Sequence, residues 1–445
     1  TLRAPAPPPP PPSRPSPFGP LAPPEPICKD DARRAETEAA AAAAADERGS
    51  SGPACADIGQ WARRVVAEQL APWNKTGISL QMLRGTSNYE PRIGGSSHIE
   101  LKDGKIRGDV DWAKYMQRAA EAWPFDRSEL KDFFVVTENA DWPFMMKGDP
   151  KADPSRAGPA LTNANNGNFW NIMMPVQSRP QFGDKFPENR KKALKLGGKT
   201  PFSDRQDVAV WRGNMGCSAG CGPRGKAYFP ENHLENCRDD SPHWDPNKVG
   251  IVYGCADDRY EKTGAWMKHW RWALATYSSV CGKECGIDAK FPDIGGEHRP
   301  FVVNYTGQDI SRWVGGYMDD QKTAASRYVF HVGNNGYADR SWRMFSLGSV
   351  VLLVDTGWQE WFWSLLKPFV HYVPIRGDIS DACEKLRWLR AHPEEAAAIA
   401  RRARDFAEQC MTLDTVNHYT AEVMRQLGAL WELGNGKTAK GGRGM

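Results

Sequence analysis

The stretch "YVFHVGNNGYADRSWRMFSLGSVVLLVD", residues 328–355, contains two apolar runs separated by a glycine-rich turn and an amphipathic segment. Residues 328–332 and 350–355 predict two buried strands. Between them, the turn 333–336 leads into a segment with helical spacing, about residues 339–347. Strand, turn, helix and strand with such short connections are typical of parallel βαβ units. We therefore predict an α/β fold with a parallel sheet around this stretch.

The same alternation continues on both sides. Val208, Val210 and Trp211 predict a strand that Arg212 and Gly213 close with a tight turn. Beyond the opening stretch, a helix is predicted over about residues 359–366 and a last strand in "FVHYVPI", residues 369–375. Two amphipathic helices follow toward the carboxyl terminus.

Composition divides the 445-residue chain into five parts. A Pro/Ala-rich stem or linker is expected first, because its polyproline run cannot pack into a core. The parts are the stem 1–57, an amino-terminal lobe 58–205, a second lobe 206–375 with a Cys-rich insertion at 214–286, carboxyl-terminal helices 376–434, and a flexible tail 435–445.

The charges are mixed along the chain, with 58 basic and 54 acidic residues and a net charge of +4. Such interleaving gives no one-sign field for wrapping nucleic acid, so any anion bound should be small. Eighteen tryptophans suit stacking on sugars, and they suit a large core equally well. The sequence has no apolar run long enough to cross a membrane, and it starts at Thr1. We expect a membrane link only through a removed amino-terminal signal or anchor.

Six cysteines in the middle third allow two interpretations, disulfides or a zinc site. Sequons at Asn74 and Asn304 favour the oxidising lumen of the secretory pathway and therefore disulfides. The nearby histidines, including His269 in "HWRW", match no zinc template, so no metal is predicted. The disulfide candidates are Cys217, Cys221, Cys237, Cys255, Cys281 and Cys285.

Four residues are candidates for chemistry. Asp141 follows the predicted strand 133–136, and open α/β sheets place ligands at such strand ends. Its carboxylate can accept a proton from a hydroxyl. Alternatively, it simply stabilises a turn. Arg212 and Arg340 follow neighbouring strands and can chelate a diphosphate, although most arginines serve solubility. Glu360 lies in an aromatic stretch, where it can accept from ribose hydroxyls or favour a helix start.

The second lobe resembles glycosyltransferase family 90, the group of Rumi-type protein O-glucosyltransferases and capsule-associated xylosyltransferases. The resemblance lies in the opening stretch, in "WQEWFWSLLKPFVHYVPI" and in "AAAIARRARDFAEQCMTLDTVNHY". "VWRGN" is similar to the family's "FRG" element, and "NADWP" more weakly to the segment with its catalytic aspartate. Good matching covers about residues 206–214 and 320–425.

This resemblance implies a GT-B architecture of two Rossmann-like lobes facing across a cleft. It implies transfer of glucose or xylose from UDP-glucose or UDP-xylose to a protein or glycan hydroxyl, with inversion and no obligatory cofactor or metal. The expected compartment is the lumen of the Golgi or endoplasmic reticulum. Asp141 would be the base and Arg212 with Arg340 would hold the diphosphate. The donor pocket would be lined by Gly213, Gly336, Tyr337, Ala338 and Asp339, with Glu360 near the nucleoside.

One departure concerns the sugar. Family members carry a small-residue run ending in Ser-Phe-Arg, whereas this chain has Tyr337-Ala-Asp-Arg340, so the identity of the donor sugar stays open. Two alternatives also stay open: a non-catalytic carbohydrate-binding protein of the same fold, and a zinc-binding nucleic-acid protein built on the cysteines.

Overall fold

A computed structural model of the chain describes residues 55, 57–89, 97–137, 145, 147, 150–165, 170–175, 185–214, 270–294, 310–333, 338, 340–377 and 379–441. Most of the predicted stem and of the Cys-rich insertion lies outside these ranges. So do nine of the candidate residues, namely Asp141, Cys217, Cys221, Cys237, Cys255, Asn304, Gly336, Tyr337 and Asp339.

The amino-terminal part contains three helices packed around a five-stranded sheet. The helices are α1 (Ile58–Leu70), α2 (Leu80–Tyr89) and α3 (Val110–Glu121). The strands are β1 (Ser97–Lys102), β2 (Lys105–Gly108), β3 (Phe133–Thr137), β4 (Ala160–Thr162) and β6 (Ile172–Met173), in the order β2-β1-β3-β4-β6. The short strand β5 (Ala164–Asn165) leaves this sheet to pair elsewhere.

This first sheet is mixed, which differs from the expectation of a Rossmann-like sheet in each lobe. Strand β1 is antiparallel to β2 and β3, and only β3, β4 and β6 run parallel. The cause is local, because Asp103 and Gly104 both have positive φ and join β1 to β2. Two such residues make the tight turn that antiparallel hairpins favour.

The second sheet is parallel throughout and confirms the α/β prediction. Its strands are β7 (Gln206–Arg212), β8 (Ile287–Lys290), β9 (Ser326–His331), β10 (Val350–Val354) and β12 (Val373–Ile375). Their order is β12-β10-β9-β7-β8, and each neighbouring pair is parallel. The opening stretch therefore forms β9, a turn, a helix and β10, as the alternation predicted.

Helices cover both faces of the parallel sheet. They are α4 (Phe186–Gly197), α5 (Trp270–Cys285), α6 (Asp320–Ala324), α7 (Ser341–Ser346), α8 (Ala382–Ala391) and α9 (Pro393–Gln409). One more helix, α10 (Leu413–Gly441), follows them and packs instead against the amino-terminal part. Because side chains alternate along a strand, Tyr328 and Phe330 of β9 join the core under α5 and α8. Val329 joins the other core, with α4 and α7.

The last helix, α10, contacts α1, α3 and β3 and so connects the two ends of the described chain. It continues to Gly441, past residue 435 where we expected a flexible tail to begin. Within the described part of the chain, no helix combines the length and apolar content needed to span a membrane.

The helix predicted over residues 359–366 is wrong. The structure has strand β11 (Gln359–Glu360), which pairs antiparallel with β5, followed by a 3₁₀ turn at Trp363–Leu365. Packing explains the difference, because Trp361 contacts Trp61 and Tyr419 while Phe362 contacts Phe345 and Phe406. These partners come from distant segments of the chain that share one apolar core, and contacts with them outweigh the local helical spacing.

The structure also decides between disulfide and zinc for two cysteines. Cys285 is bonded to Cys383, which links α5 to α8, and Cys281 is disulfide-bonded as well. A further bridge joins Cys55 to Cys410. The disulfide interpretation is confirmed for Cys281 and Cys285, but three bridging cysteines had not been candidates. Within the described ranges, no three His, Cys, Asp or Glu side chains are grouped so as to hold a metal ion.

Candidate active site

The carboxyl edge of the parallel sheet carries a row of basic side chains. Arg212 at the end of β7 pairs in register with Lys290 at the end of β8. Val210 pairs with Val329, so two residues further along Arg212 lies opposite His331 of β9. Parallel strands all end at this edge, which is where open α/β sheets bind ligands.

Arg212 is fixed by the neighbouring strand. One guanidinium nitrogen, Nη2, donates to Asp288 Oδ2 at 2.7 Å, and Nη1 donates to the carbonyl oxygens of Trp211 and Asp288, both at 2.8 Å. The Arg212 side chain is only 9% exposed, whereas that of Asp288 is 37% exposed, so solvent reaches the pair from the carboxylate side. Nε is buried and has no hydrogen-bond partner among the described residues. Arg212 is thus present at the predicted edge, with much of its charge shared with Asp288.

Arg340 meets Arg212 as predicted, but through the backbone. Its Nη1 donates to the Arg212 carbonyl oxygen, and its guanidinium carbon lies 5.9 Å from the centroid of the Trp211 ring. Gly213 permits this approach, since a Cβ added there would lie 2.6 Å from the Trp211 ring and 3.1 Å from Arg340 Nη2. The predicted tight turn at Gly213 is therefore a point of close contact.

Arg271 is a third arginine of the site, and the sequence analysis missed it. Its Nε donates to the Gly333 carbonyl oxygen at 2.8 Å and its Nη1 to that of Asn214 at 2.9 Å. The guanidinium carbon lies 5.8 Å from the Trp211 ring centroid, and the residue is buried. Arg271 thereby connects the segments that leave β7 and β9. The available signal was an arginine between Trp270 and Trp272 at the start of an apolar helix, where a buried charge needs a purpose.

His331 is buried at the same edge. Its ring lies 5.9 Å from that of Trp363, and only 1% of the residue is exposed. The pKa of His331 is lowered to about 3, mainly by burial and to a smaller extent by the positive charges of Arg340 and Arg271. The imidazole is therefore neutral at physiological pH.

Glu360 and Ala338 occupy different surroundings. Glu360 is buried on β11 and pairs with Ala164 of β5, so it lies on the antiparallel strand pair that joins the two halves of the described chain. It is a strand residue, and the suggestion that it favours a helix start is wrong. Ala338 is buried, and its carbonyl oxygen accepts from the Ser341 backbone at 3.0 Å. The structure thus brings Arg212, Gly213 and Arg340 together and places Glu360 on a separate element.

Comparison with known proteins covers this part of the chain. Residues 303–439 match the model of Glycosyl transferase family 90. Protein O-glucosyltransferase 1 of Rattus norvegicus is 31% identical over 100 residues, which are 22% of this chain and 26% of that protein. Protein O-glucosyltransferase 2 of Danio rerio is 34% identical over 104 residues, which are 23% of this chain and 21% of that protein.

A viral protein is also similar to this chain. Uncharacterized protein 179R of Invertebrate iridescent virus 6 is 32% identical over 117 residues, which are 25% of this chain and 10% of that protein. The matched lengths thus span about a quarter or less of these relatives. The family match includes β9, α7, β10 and Arg340, the elements on which the sequence resemblance rested. Over residues 303–439, the chain is therefore similar to glycosyltransferase family 90.

Proposed function

We propose that this protein is an inverting glycosyltransferase of GT-B architecture. It transfers glucose or xylose from UDP-glucose or UDP-xylose to a hydroxyl of a protein or polysaccharide. The UDP-sugar is the co-substrate, and the proposal requires no metal or other cofactor. The relatives named as protein O-glucosyltransferases support a sugar donor and a protein acceptor.

The observation that carries this proposal is the convergence of Arg271 and Arg340 on the Trp211 ring at the carboxyl edge of a parallel sheet. Departure of UDP leaves negative charge on the diphosphate, and fixed positive groups at that place lower the barrier. Arginine suits this task because its planar fork matches phosphate oxygens and keeps its charge. Arg212 adds to the positive field from the adjacent position, with Asp288 fixing its orientation.

The chemistry assigned to the remaining candidates follows from the reaction. Asp141 accepts the proton of the acceptor hydroxyl as its oxygen attacks C1 of the sugar. The bond between C1 and the diphosphate oxygen breaks on the opposite face, so the configuration at C1 inverts. Gly336, Tyr337, Ala338 and Asp339 line the donor pocket, and Glu360 accepts hydrogen bonds from the nucleoside.

A location in the lumen of the secretory pathway is part of the proposal. Two observations support it. The Cys55–Cys410 and Cys285–Cys383 bridges need an oxidising environment. Asn74 of the first sequon is exposed after a 3₁₀ turn, within reach of a glycosylating enzyme.

The test is UDP-sugar turnover by the purified chain, with glucose, xylose, galactose and N-acetylglucosamine donors. Turnover of UDP-glucose or UDP-xylose is expected, with a loss of roughly tenfold or more in Arg340→Ala, about the loss of one charge-assisted hydrogen bond. Arg343→Ala is the matched control, because Arg343 lies three positions further and pairs with Asp320 at 3.5 Å on the surface. Asp141→Asn should bind UDP without turnover. If wild-type protein turns over no donor, the catalytic proposal fails, and glycan binding alone would favour the non-catalytic alternative.

A further inference from the structure

We propose that His331 binds the nucleotide sugar, with its Nδ1 forming a hydrogen bond to an oxygen of that ligand. This inference rests on the proposed function and adds to it a residue that the sequence analysis did not single out.

The position of His331 places it in the basic row. It is the last residue of β9, opposite Arg212 of β7 and in register with Leu353 of β10. Its side chain lies on the same face of the sheet as Val329, because residues two apart along a strand point to one side. The Trp363 ring contacts the imidazole edge-on, with the two ring centroids 5.9 Å apart.

The hydrogen bonding of His331 is incomplete. Nδ1 is fully buried and has no hydrogen-bond partner among the described residues. Leaving a buried polar atom unsatisfied costs about 1–3 kcal/mol, and native structures rarely keep such atoms. A ligand oxygen at this edge of the sheet would provide the missing partner.

The surrounding charges select the form of the imidazole and the kind of ligand. Arg271 comes from α5, Arg340 from the residue before α7, and Arg212 from β7, while β10 contributes the apolar Leu353. Burial and the charges of Arg340 and Arg271 keep the histidine uncharged, and these positive charges attract an anion. A neutral imidazole can donate to a phosphate oxygen or accept from a hydroxyl, depending on its tautomer. Both kinds of oxygen are present in a UDP-sugar.

Three substitutions distinguish a hydrogen bond made by Nδ1 of the imidazole from one made by Nε2. The amide of asparagine can occupy the position of Nδ1, that of glutamine reaches toward Nε2, and phenylalanine offers neither. Binding of UDP-glucose, UDP, uridine and inorganic pyrophosphate is measured by calorimetry for the full chain and each variant. We expect His331→Phe and His331→Gln to lose roughly tenfold or more in affinity for UDP-glucose, and His331→Asn to remain within a few-fold of wild type.

The ligand that shows the loss identifies the bonded oxygen. A loss with pyrophosphate indicates a phosphate oxygen, a loss with uridine a ribose hydroxyl, and a loss with UDP-glucose alone a hydroxyl of the sugar. His418→Gln is the matched control, since His418 is a half-buried histidine that packs against Phe125.

Two results would overturn the inference. If wild-type protein binds UDP-glucose and all three variants bind it equally well, His331 has no contact with the ligand. If Asn and Gln variants lose affinity equally and also melt at lower temperature, the role of His331 is structural. Absence of binding to wild-type protein would overturn the proposed function together with this inference.

Discussion

At the scale of single residues, the site is organised around the ring of Trp211. Arg271 and Arg340 come from different parts of the chain, and both place their guanidinium within 6 Å of its centroid. Cation–π contacts of this kind contribute about 0.5–2 kcal/mol each and fix the direction of a flexible side chain. The tryptophan thus acts as a support that holds two arginines at the place where we propose that a diphosphate binds.

Gly213 tests this arrangement. In Gly213→Ala the new methyl group would lie 2.6 Å from the Trp211 ring and 3.1 Å from Arg340 Nη2, so the ring and the guanidinium must move. We expect UDP affinity to fall by roughly tenfold, because charge-assisted bonds depend on geometry. Calorimetry with UDP measures the loss. A variant that binds UDP as tightly as wild type would show that the position of Arg340 does not matter for the nucleotide.

His331 predicts how stability depends on pH. Its pKa is lowered to about 3 in the folded chain, against an ordinary value of about 6.5, so between these values the unfolded chain binds more protons at this residue. Its contribution to stability is therefore lost as pH falls below 6.5, by at most about 1.4 kcal/mol per pH unit. We expect wild type to lose more free energy of unfolding than His331→Asn when the pH is lowered from 7 to 5. Urea unfolding at several pH values measures it, and a constant difference would contradict the prediction.

At the scale of elements, the junction between α7 and β10 shows why the opening stretch carries a Gly-Ser step. Gly348 has φ +70° after the end of α7, a conformation that L side chains rarely adopt. Arg205 binds this junction, donating to the Leu347 carbonyl oxygen at 2.8 Å and to Ser349 Oγ at 3.1 Å. The same guanidinium donates to the Gly197 carbonyl oxygen at 2.6 Å and so joins the end of α4.

Gly348→Ala should destabilise the fold by about 2–3 kcal/mol. The positive φ alone costs about 1–2 kcal/mol for an L residue, and the new Cβ would also lie 2.7 Å from the Gly197 carbonyl oxygen. Gly104→Ala is the matched control, because Gly104 has φ +71° with nothing within 4 Å of an added Cβ. Urea unfolding of both variants separates the two effects. Equal losses would show that crowding at Gly348 contributes nothing.

The elements that the sequence predicted correctly are those with local signals. Strands β9 and β10 follow from apolar runs, and the helix-containing connection between them is long enough for the crossover that parallel strands need. Residues 359–366 were mispredicted because aromatic contacts with distant segments decide their conformation. The β1–β2 hairpin had a local signal, Asp103-Gly104, that was overlooked.

The candidate site, too, was predictable only where the signal in the sequence is local. Arg212, Gly213 and Arg340 follow directly from strand ends, and the structure brings them together. Arg271 and His331 reach the site through the register of the sheet and the packing of α5, which a single sequence does not reveal. The side-chain pairing of Arg212 with Asp288 also depends on which strand is its neighbour.

At the scale of the whole molecule, α10 and the β5–β11 pair connect the two sheets. Tyr419 of α10 packs between Trp61 of α1 and Trp361, and its hydroxyl donates to the Met173 carbonyl oxygen. One of the two apolar cores accordingly contains residues from both ends of the described chain. Motion of one half against the other must therefore leave this core intact or disturb α10.

Disulfides add covalent links at this scale, and their partners are far apart in sequence. Cys285 and Cys383 are separated by 98 residues, and Cys55 and Cys410 by 355. Such pairing depends on the final fold, which explains why clustering in sequence did not identify the partners. A bridge stabilises mainly by restricting the unfolded chain, and the effect grows slowly with loop length.

We expect Cys285→Ala/Cys383→Ala to lower the free energy of unfolding by about 2–4 kcal/mol. Alanine is chosen because both cysteines are buried and a serine hydroxyl would add an unsatisfied polar group. The Cys55–Cys410 bridge closes a longer loop, so Cys55→Ala/Cys410→Ala should lower the free energy of unfolding by about 1 kcal/mol more from loop entropy alone. Urea unfolding without reductant measures both. The single variant Cys285→Ala checks the pairing itself. It should expose one new thiol, that of Cys383, to a thiol reagent after denaturation. An unchanged unfolding midpoint in Cys285→Ala/Cys383→Ala would show that the α5–α8 bridge does not stabilise the fold.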